Sequence, residues 1–274
     1  MNFKKVLFIL ILILCFSCKH EEKKSTLFEL KTNTGIIFSN VLTETERLNP
    51  YTYKNFYNGG GVALGDINND GLLDIYFSGN LVNNQLYINK GNFQFEDITE
   101  KANLECKDSW SSGVTFVDIN YDGFLDIYVC QAGPPKEKNR HNQLFINNGD
   151  ETFTEESKKY GLDITGLGVQ ANFFDYDKDG DLDCYLLNNS IRSVGNYDFI
   201  KDQRDTATPQ GNKLLRNDNN VFVDVTADSG IYSSAIGFGL GITVSDYNND
   251  TWPDIFISND FFERDYLYVN QKNG

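Results

Sequence analysis

The sequence predicts an all-β fold, a partial β-propeller of about four four-stranded antiparallel blades. Three observations favour this fold: a nine-residue acidic pattern occurs four times, short strand-like runs surround every copy, and no helical stripe interrupts them. Four short strands per repeat with turns between them are typical of propeller blades, each of which packs against its neighbours. A β-sandwich predicts no repeat this regular, and a β-helix needs much shorter coils.

The composition describes a globular and strongly acidic chain. It has 274 residues, of which 40% are hydrophobic and 14% aromatic, so it is long enough to bury a substantial core. The formal net charge of −15 argues against a nucleic-acid partner, because binding to phosphates needs clustered Lys and Arg side chains. Much of the acidity lies in the repeated pattern, where divalent cations could neutralise it.

The first residues predict an export signal. Residues 1–5 provide a positively charged start, residues 6–16 are apolar, and Ser17 precedes Cys18. The apolar run is shorter than the roughly 20 residues that a membrane-spanning helix needs. This arrangement resembles a bacterial lipoprotein signal, which implies a signal peptide of residues 1–17 and lipidation of Cys18. The alternatives are an ordinary signal peptide and a short membrane anchor.

The charged stretch after Cys18 predicts a polar tether over residues 18–27. It also resembles the short charged signal that sends some lipoproteins to the outer face of the outer membrane. We therefore expect an exported bacterial lipoprotein, held at the outer membrane by its lipid and exposed at the cell surface. Residues 28–274 are predicted to form the propeller, with repeats at approximately 60–107, 108–165, 166–234 and 235–274.

The acidic pattern occupies residues 66–74, 118–126, 175–183 and 246–254. Every copy has Asp at its first, fifth and ninth positions and Asp or Asn at its third. Alternate side chains of a tight loop can converge on one centre, and Ca²⁺ takes six to eight oxygen ligands. Glycine at the sixth position permits the sharp turn, and only the last copy departs from it, with Thr251. The pattern predicts up to four Ca²⁺ ions, one per loop.

The predicted ligands are the side chains at positions one, three, five and nine and the backbone carbonyl at position seven. In chain order they are Asp66, Asn68, Asp70, Leu72, Asp74, Asp118, Asn120, Asp122, Phe124, Asp126, Asp175, Asp177, Asp179, Asp181, Asp183, Asp246, Asn248, Asp250, Trp252 and Asp254. An EF-hand would need a Glu at position twelve between two helices, and these loops lie between strands. The alternative without metal is a row of Asp and Asn turns that join hairpins.

Four strand-like runs are predicted for each repeat, because β-branched and aromatic residues recur at matching positions. The first run precedes the acidic loop and the second follows it. The third begins at Asn84, Asn142, Asn212 or Asp265, and the fourth at Phe95, Phe153 or Phe222. The last repeat has no fourth run, so we expect the chain to be a fragment of a larger propeller.

Length varies mainly in the connection between the second and third strands of each repeat. This connection lies at the opposite end of the blade from the acidic loop. The longest insertion covers residues 187–211 and is the candidate for specific recognition, with a disordered surface loop as the alternative. The candidate ligand-binding residues there and in the last repeat are Arg192, Tyr197, Asp202, Arg204 and Arg264.

These repeats resemble FG-GAP/VCBS repeats, the blade units of integrin α-chain propellers and of many bacterial surface proteins. The runs at residues 59–66 and 259–266 resemble those of bacterial lipoprotein relatives of cartilage acidic protein. Such relatives usually have about seven blades and a further C-terminal domain. The resemblance therefore implies a fragment of a seven-bladed propeller.

The expected function is that of a non-catalytic binding or adhesion module for a protein or glycan ligand. His141 is the one histidine beyond the tether, and no Ser or Cys motif provides a nucleophile near it. Two alternatives stay open: the propeller part of a carbohydrate-active enzyme, and a scaffold for a missing C-terminal domain. Cys106 and Cys130 could pair in an exported protein, although nothing in their spacing requires it.

Overall fold

A computed structural model describes residues 26–133, 140–191, 203–261 and 263–273. The chain divides into two compact units, Met1–Thr32 and Asn33–Gly274. The described residues of the first unit, 26–32, are exposed and lack regular secondary structure. None of the helices in the described ranges is long and apolar enough to cross a bilayer. The predicted signal peptide and Cys18 lie outside the described residues.

The second unit consists of antiparallel sheets in which consecutive strands pair in chain order. The first sheet contains β1 (Val62–Gly65), β2 (Asp74–Phe77), β3 (Gln85–Asn89) and β4 (Phe95–Asp97). The second contains β5 (Ser111–Val117), β6 (Asp126–Gln131), β7 (Gln143–Asn147) and β8 (Phe153–Glu155). The third contains β9 (Gly168–Phe174), β10 (Asp183–Asn188), β11 (Lys213–Asn217) and β12 (Phe222–Asp224). The fourth contains β13 (Gly239–Ser245), β14 (Asp254–Asn259) and β15 (Tyr266–Tyr268).

The four sheets are successive blades of a partial β-propeller, as the sequence predicts. In the described part of the chain the fourth sheet has three strands, which agrees with the lack of a fourth run in the last repeat. The first strands of the four sheets, β1, β5, β9 and β13, lie side by side. Ser112 Oγ donates to the Gly168 carbonyl oxygen at 2.6 Å, and Thr115 Oγ1 donates to that of Ala171 at 2.7 Å. These bonds join neighbouring blades.

Glycine permits this close approach of the first strands. A Cβ atom on Gly113 would lie 2.2 Å from the carbonyl oxygen of Val169 in the neighbouring strand. Any side chain there would push the two blades apart. Gly113, the third residue of β5, is therefore required by the packing of the second blade against the third.

Each fourth strand is shorter than the predicted run and is followed by one helical turn: α1 (Thr99–Ala102), α2 (Ser157–Tyr160) and α3 (Thr226–Ser229). Thr99 Oγ1 accepts a hydrogen bond of 2.9 Å from the Leu86 backbone N–H, and Asp97 Oδ1 accepts one of 2.9 Å from the Thr99 N–H. These side-chain bonds end the strand and begin the turn, because Asp and Thr side chains compete with ladder pairing. The sequence analysis did not predict these turns.

Apolar clusters fill the spaces between neighbouring sheets. Tyr76, Tyr128 and Tyr185, at matching positions of the second strands, are fully buried. Tyr76 Oη donates to the Leu104 carbonyl oxygen at 2.9 Å, so its hydroxyl is satisfied inside the core. These tyrosines are packing residues, and none of them offers an exposed ring to a ligand.

The segment before the first blade packs against the sheets. Tyr53 and Phe56 are buried in one cluster with Trp110, Ala132 and Leu167 of the second and third repeats. The Gly133 backbone N–H donates a hydrogen bond of 3.0 Å to Tyr53 Oη. The segment thereby covers part of the end of the blades at which the first strands begin.

Three cysteines carry free thiols in the described residues: Cys106, Cys130 and Cys184. Cys106 and Cys130 are therefore not joined by a disulfide. Cys184 is fully buried between apolar side chains of the second and third sheets. Burial raises the pKa of the Cys106 thiol to about 12 and that of the Cys130 thiol further, because a thiolate is poorly solvated there.

Candidate functional site

The acidic loops connect the first and second strands of the four sheets and share one end of the blades. In the first loop, Asp66 Oδ1 accepts from the Asp70 N–H at 3.0 Å and Asp66 Oδ2 from the Gly71 N–H at 2.7 Å. Asp118 and Asp246 make the same pair of bonds in their loops. The first aspartate of the pattern therefore closes the turn with its own carboxylate.

The aspartate at position nine is buried in all four loops. Asp74 Oδ2 accepts from the Ile67 N–H at 3.0 Å, and Asp74 Oδ1 accepts from the Asn89 N–H of the third strand at 2.8 Å. Asp126, Asp183 and Asp254 bond in the same way. This carboxylate joins the loop, the second strand and the third strand at one point.

Two positions in each loop have a left-handed backbone. Position four does so in every copy, with φ between 57° and 63°. Position six has φ of 85° at Gly71, 89° at Gly123, 101° at Gly180 and 76° at Thr251. The fourth loop thus forms the same turn as the others, although Thr251 is a β-branched residue in a conformation that favours glycine.

Adjacent loops contact one another through position four. Asn69 Nδ2 donates to the Gly123 carbonyl oxygen at 3.0 Å, and Tyr121 Oη donates to that of Gly180 at 3.3 Å. Lys178 Nζ donates to Thr251 Oγ1 at 3.0 Å. Position four of one loop therefore reaches position six of the next. The sequence analysis missed this link, because the residues at position four differ in type.

The third loop gathers the most acidic groups. Asp175, Asp177 and Asp183 each offer an oxygen, and these oxygens lie within 4.8 Å of one another. Oδ1 of Asp175 and Oδ1 of Asp181 are buried and accept no hydrogen bond from the part of the chain that the structure describes. Buried carboxylate oxygens without a donor are costly unless a cation lies beside them. This donor set fits Ca²⁺, a hard cation that prefers carboxylate oxygens.

Burial raises the pKa of several aspartate side chains in these loops. Desolvation raises the pKa of Asp183 to about 7, although backbone N–H groups of Asn217 and Tyr176 oppose the rise. It raises the pKa of Asp126 to about 6 and also raises that of Asp74. A divalent cation would reverse these shifts, because a positive charge favours the ionised carboxylate.

The remaining predicted ligands lie in the same four loops. Asp70 Oδ1 accepts from the Leu72 N–H at 2.8 Å, and the fifth and seventh positions of the other loops are bonded alike. Asn68 Oδ1 accepts from the Asp70 N–H at 3.2 Å. The turn therefore holds the side chains of positions one, three and five on its inner side. Calcium binding by these residues stays a prediction.

In the second and fourth repeats an asparagine at the end of the third strand-like run joins neighbouring blades. Asn147 Nδ2 donates to the carbonyl oxygens of Leu125 at 3.1 Å and of Ile67, in the preceding blade, at 2.8 Å. Asn270 Nδ2 repeats this arrangement with Pro253 and with Tyr176 of the third blade. The Asn recurs in all four repeats, but Asn217 Nδ2 donates to Leu182 of its own blade, so recurrence alone does not show which copies join blades.

The structure describes two of the five residues that the sequence predicts to bind a ligand. Arg192, Tyr197 and Asp202 lie outside the described residues. Arg204 Nε donates to Glu263 Oε1 at 2.8 Å, and the Glu263 side chain is fully buried. Arg204 thereby ties the long insertion of the third repeat to the fourth blade. Arg264 is exposed.

A cavity of about 450 Å³ lies at the end of the blades opposite the acidic loops. The beginnings of β1, β5, β9 and β13 form much of its wall, and Tyr53, Trp110 and Gln170 also line it. A seven-residue strand that rises about 3.3 Å per residue places the cavity roughly 20 Å from the loops. The sequence analysis did not predict this cavity, because its wall is formed by residues from all four repeats.

Comparison with known proteins gives two similarities. The profile of the FG-GAP-like repeat family matches residues 66–129 and 135–186, which contain the first three acidic loops. Cartilage acidic protein 1 of Xenopus tropicalis is 27% identical over 230 residues, or 81% of this chain. The chain spans 31% of the length of that relative.

Proposed function

Because the chain is an FG-GAP repeat protein, we propose that it is a calcium-stabilised, lipid-anchored and non-catalytic binding module. Its ligand would be a protein or a glycan at the surface of a bacterial cell. The observation that carries this proposal is the division of the blades into two ends. One end has four loops of nearly identical geometry, and the other has the variable connections and the cavity.

The structural role of calcium is supported by the third loop. The oxygens of Asp175, Asp177 and Asp183 converge, and Asp175 Oδ1 is buried without a donor. A cation there would neutralise these carboxylates, of which Asp183 joins the loop to the second and third strands of its blade. A ligand that binds the folded state alone must stabilise it, so calcium is expected to raise the melting temperature.

Calcium binding is tested by calorimetry on protein treated with a chelator. We expect saturable heat of Ca²⁺ binding and a higher melting temperature, both reduced in Asp175→Asn. Asp163→Asn is a matched control, because Asp163 is exposed and follows α2, at the end of the second blade opposite the acidic loops. A melting temperature independent of Ca²⁺ would contradict the proposal.

Ligand binding is assigned to the end that bears the cavity. A volume of about 450 Å³ is in the range of ligand pockets, and a wall with aromatic rings and a few polar groups is typical of such sites. The probes are an array of glycans and a panel of immobilised extracellular matrix proteins. We expect retention of one probe by the native chain and its loss in Gln170→Trp, which fills the cavity.

Lys158→Trp serves as the control for the cavity, because Lys158 is exposed on α2 and does not line it. Equal binding by both variants would exclude the cavity as the ligand site. Incubation with polysaccharides tests the absence of catalysis. Release of reducing ends or of unsaturated products would contradict a non-catalytic module.

Anchoring at the outer membrane is proposed from the sequence of residues 1–24. Incorporation of labelled palmitate by the native chain and its loss in Cys18→Ser would support lipidation. Protease treatment of intact cells tests surface exposure. A chain protected until the outer membrane is broken would contradict the proposed location.

A further inference from the structure

A hydrogen bond joins each acidic loop to the next, and in every case it ends on the residue at position six of the receiving loop. We call these three hydrogen bonds the loop links. Their donors are the position-four side chains of Asn69, Tyr121 and Lys178, and their acceptors are Gly123, Gly180 and Thr251. The links therefore form a row that runs from the first blade to the fourth.

The backbone that accepts the first link is bonded to two predicted calcium ligands. The Gly123 N–H donates to Asp118 Oδ2 at 3.0 Å, and the Phe124 N–H donates to Asp122 Oδ1 at 2.9 Å. The Gly123 carbonyl oxygen, which accepts from Asn69, belongs to the same planar peptide unit as the Phe124 N–H. The first loop therefore holds the part of the second loop that positions two carboxylates.

The third loop repeats this arrangement around Gly180. The Gly180 N–H donates to Asp175 Oδ2 at 3.2 Å, and the Asp181 N–H donates to Asp179 Oδ1 at 3.1 Å. The carbonyl oxygen that accepts from Tyr121 belongs to the same peptide unit as the Asp181 N–H. The second link thus reaches the loop in which the buried Asp175 Oδ1 has no donor among the described residues.

Each donor of a link lies between two predicted ligands of its own loop, at positions three and five. Its backbone is left-handed, with φ of 57° at Asn69, 59° at Tyr121 and 63° at Lys178, a conformation that costs energy for a residue with a side chain. A cation that holds positions three and five fixes the residue between them and keeps its side chain against the next loop. Ordering of one loop therefore reduces the conformational entropy that the next loop must lose when it binds.

The link to the fourth loop accounts for the threonine at position six. Thr251 has φ of 76°, where glycine is favoured, and its Oγ1 accepts from Lys178 Nζ at 3.0 Å. A glycine would offer this lysine no side-chain acceptor. Lys178 Nζ also lies 4.6 Å from the centroid of the Trp252 ring, at position seven of the fourth loop. The unfavourable backbone of Thr251 thus accompanies a contact that the other loops make through a carbonyl oxygen.

We propose that the loop links couple the four loops, so that Ca²⁺ bound in one loop raises the Ca²⁺ affinity of the next. This inference rests on the proposed binding of calcium and adds the residues through which the loops communicate, Asn69, Tyr121, Lys178 and Thr251. Coupling between binding sites is reciprocal, so the fourth loop also raises the affinity of the third.

Repulsion between cations in adjacent loops opposes this coupling but is weak. Every loop contains at least three aspartates, whose charge exceeds that of one Ca²⁺ ion. Positions four and six of every loop are exposed, so water and salt screen the remaining repulsion. The links are exposed for the same reason, and we therefore expect a coupling factor of about five, at the lower end of the usual range.

Trp252 reports on the fourth loop, because it lies in that loop and beside Lys178. The test titrates Ca²⁺ into the full chain after treatment with a chelator and follows tryptophan fluorescence. Asp175→Asn, which disables the third loop, should raise the midpoint of the fluorescence change about fivefold. Trp252→Phe should abolish the change, because Trp110 is buried in the cluster with Tyr53 at the other end of the blades.

A double-mutant cycle separates the link from the change of charge that Asp175→Asn introduces. In a Lys178→Met background the same replacement should leave the midpoint nearly unchanged, because the third loop no longer donates to Thr251. Lys158→Met is the control background, since Lys158 is exposed on α2, and there Asp175→Asn should keep its full effect. Equal effects of Asp175→Asn in the two backgrounds would overturn the proposal.

Tyr121→Phe tests the second link through the loss of one hydroxyl group. In calorimetry the Ca²⁺ binding curve of the native chain should be steeper than that of Tyr121→Phe. Tyr247→Phe is the control and should match the native chain, because Tyr247 is an exposed tyrosine at position two of an acidic loop. Saturable binding with equally steep curves for the native chain and Tyr121→Phe would overturn the coupling alone, whereas no heat of Ca²⁺ binding would overturn both the coupling and the proposed calcium sites.

Discussion

Asn147 Nδ2 donates a hydrogen bond of 2.8 Å to the carbonyl oxygen of Ile67, in the acidic loop of the preceding blade. The Asn147 side chain is buried, so this bond is shielded from water. It belongs to a repeated set of contacts at the loop end, where carboxylates and amides join strands within a blade and loops between blades. The predictions below follow from these contacts.

Replacement of Asn147 by Ala should destabilise the protein more than the same change at Asn89. Asn147→Ala leaves buried carbonyl oxygens of two blades without a donor, and each such group costs about 1–3 kcal/mol. Among the described residues, Asn89 Nδ2 donates only to the Leu73 carbonyl oxygen of its own blade. Urea denaturation measures the difference, and equal losses would show that the contact between blades adds no stability.

The stabilising effect of calcium should increase with pH. In the metal-free chain the pKa of Asp183 is raised from 3.8 to about 7, so its contribution to stability is fully present below pH 3.8 and is lost as the pH rises to 7. Ca²⁺ favours the ionised form and offsets that loss. The rise in melting temperature on Ca²⁺ addition should therefore be larger at pH 8 than at pH 5.5. Sodium chloride of equal ionic strength is the control, and an equal rise at both pH values would refute the linkage.

The left-handed backbone at position six should make threonine unfavourable there. Gly71→Thr should lower the free energy of unfolding by about 1–2 kcal/mol, because a Cβ atom on Gly71 meets no atom within 4 Å and the cost comes from the backbone alone. Thr251→Gly should raise it by about 0.5–1 kcal/mol. Chemical denaturation measures both, and a stabilising Gly71→Thr would contradict this account.

Arg204 and Arg264 should differ in their effect on stability. Arg204→Met leaves the buried carboxylate of Glu263 without its cation, and we expect a loss of about 2 kcal/mol. Arg264→Met changes an exposed side chain and should stay within about 0.5 kcal/mol. If instead Arg264→Met were the more harmful change in thermal unfolding, the ion pair would not be what holds the insertion.

The described thiols should be unreactive in the folded protein. Burial and raised thiol pKa values predict slow alkylation of Cys106, Cys130 and Cys184, and complete alkylation in denaturant. A reducing agent should leave the melting temperature unchanged, since these cysteines are not paired. Mass spectrometry after alkylation gives the number of modified cysteines. A disulfide between Cys106 and Cys130 would contradict the structure.

The repeat of Asp66–Asp74 was enough to predict the blades, because strand type and turn position follow from residues near one another in the chain. The order and approximate position of the strands, the loops at one end and the variable connections at the other were all readable in this way. The helical turn at Thr99 was not, since it depends on a side-chain bond to Leu86 in another strand.

The sequence by itself determined the fold class, the four acidic loops and the three-stranded last blade. Only the tertiary structure decided that Asn147 and position four join blades, that Arg204 pairs with Glu263, and that a cavity is lined by residues of all four repeats. The local sequence pattern determines each blade, because the strands of a blade pair with strands that are adjacent in the sequence. Contacts between blades bring together residues tens of positions apart whose types need not repeat, and only the packed chain shows which of them meet.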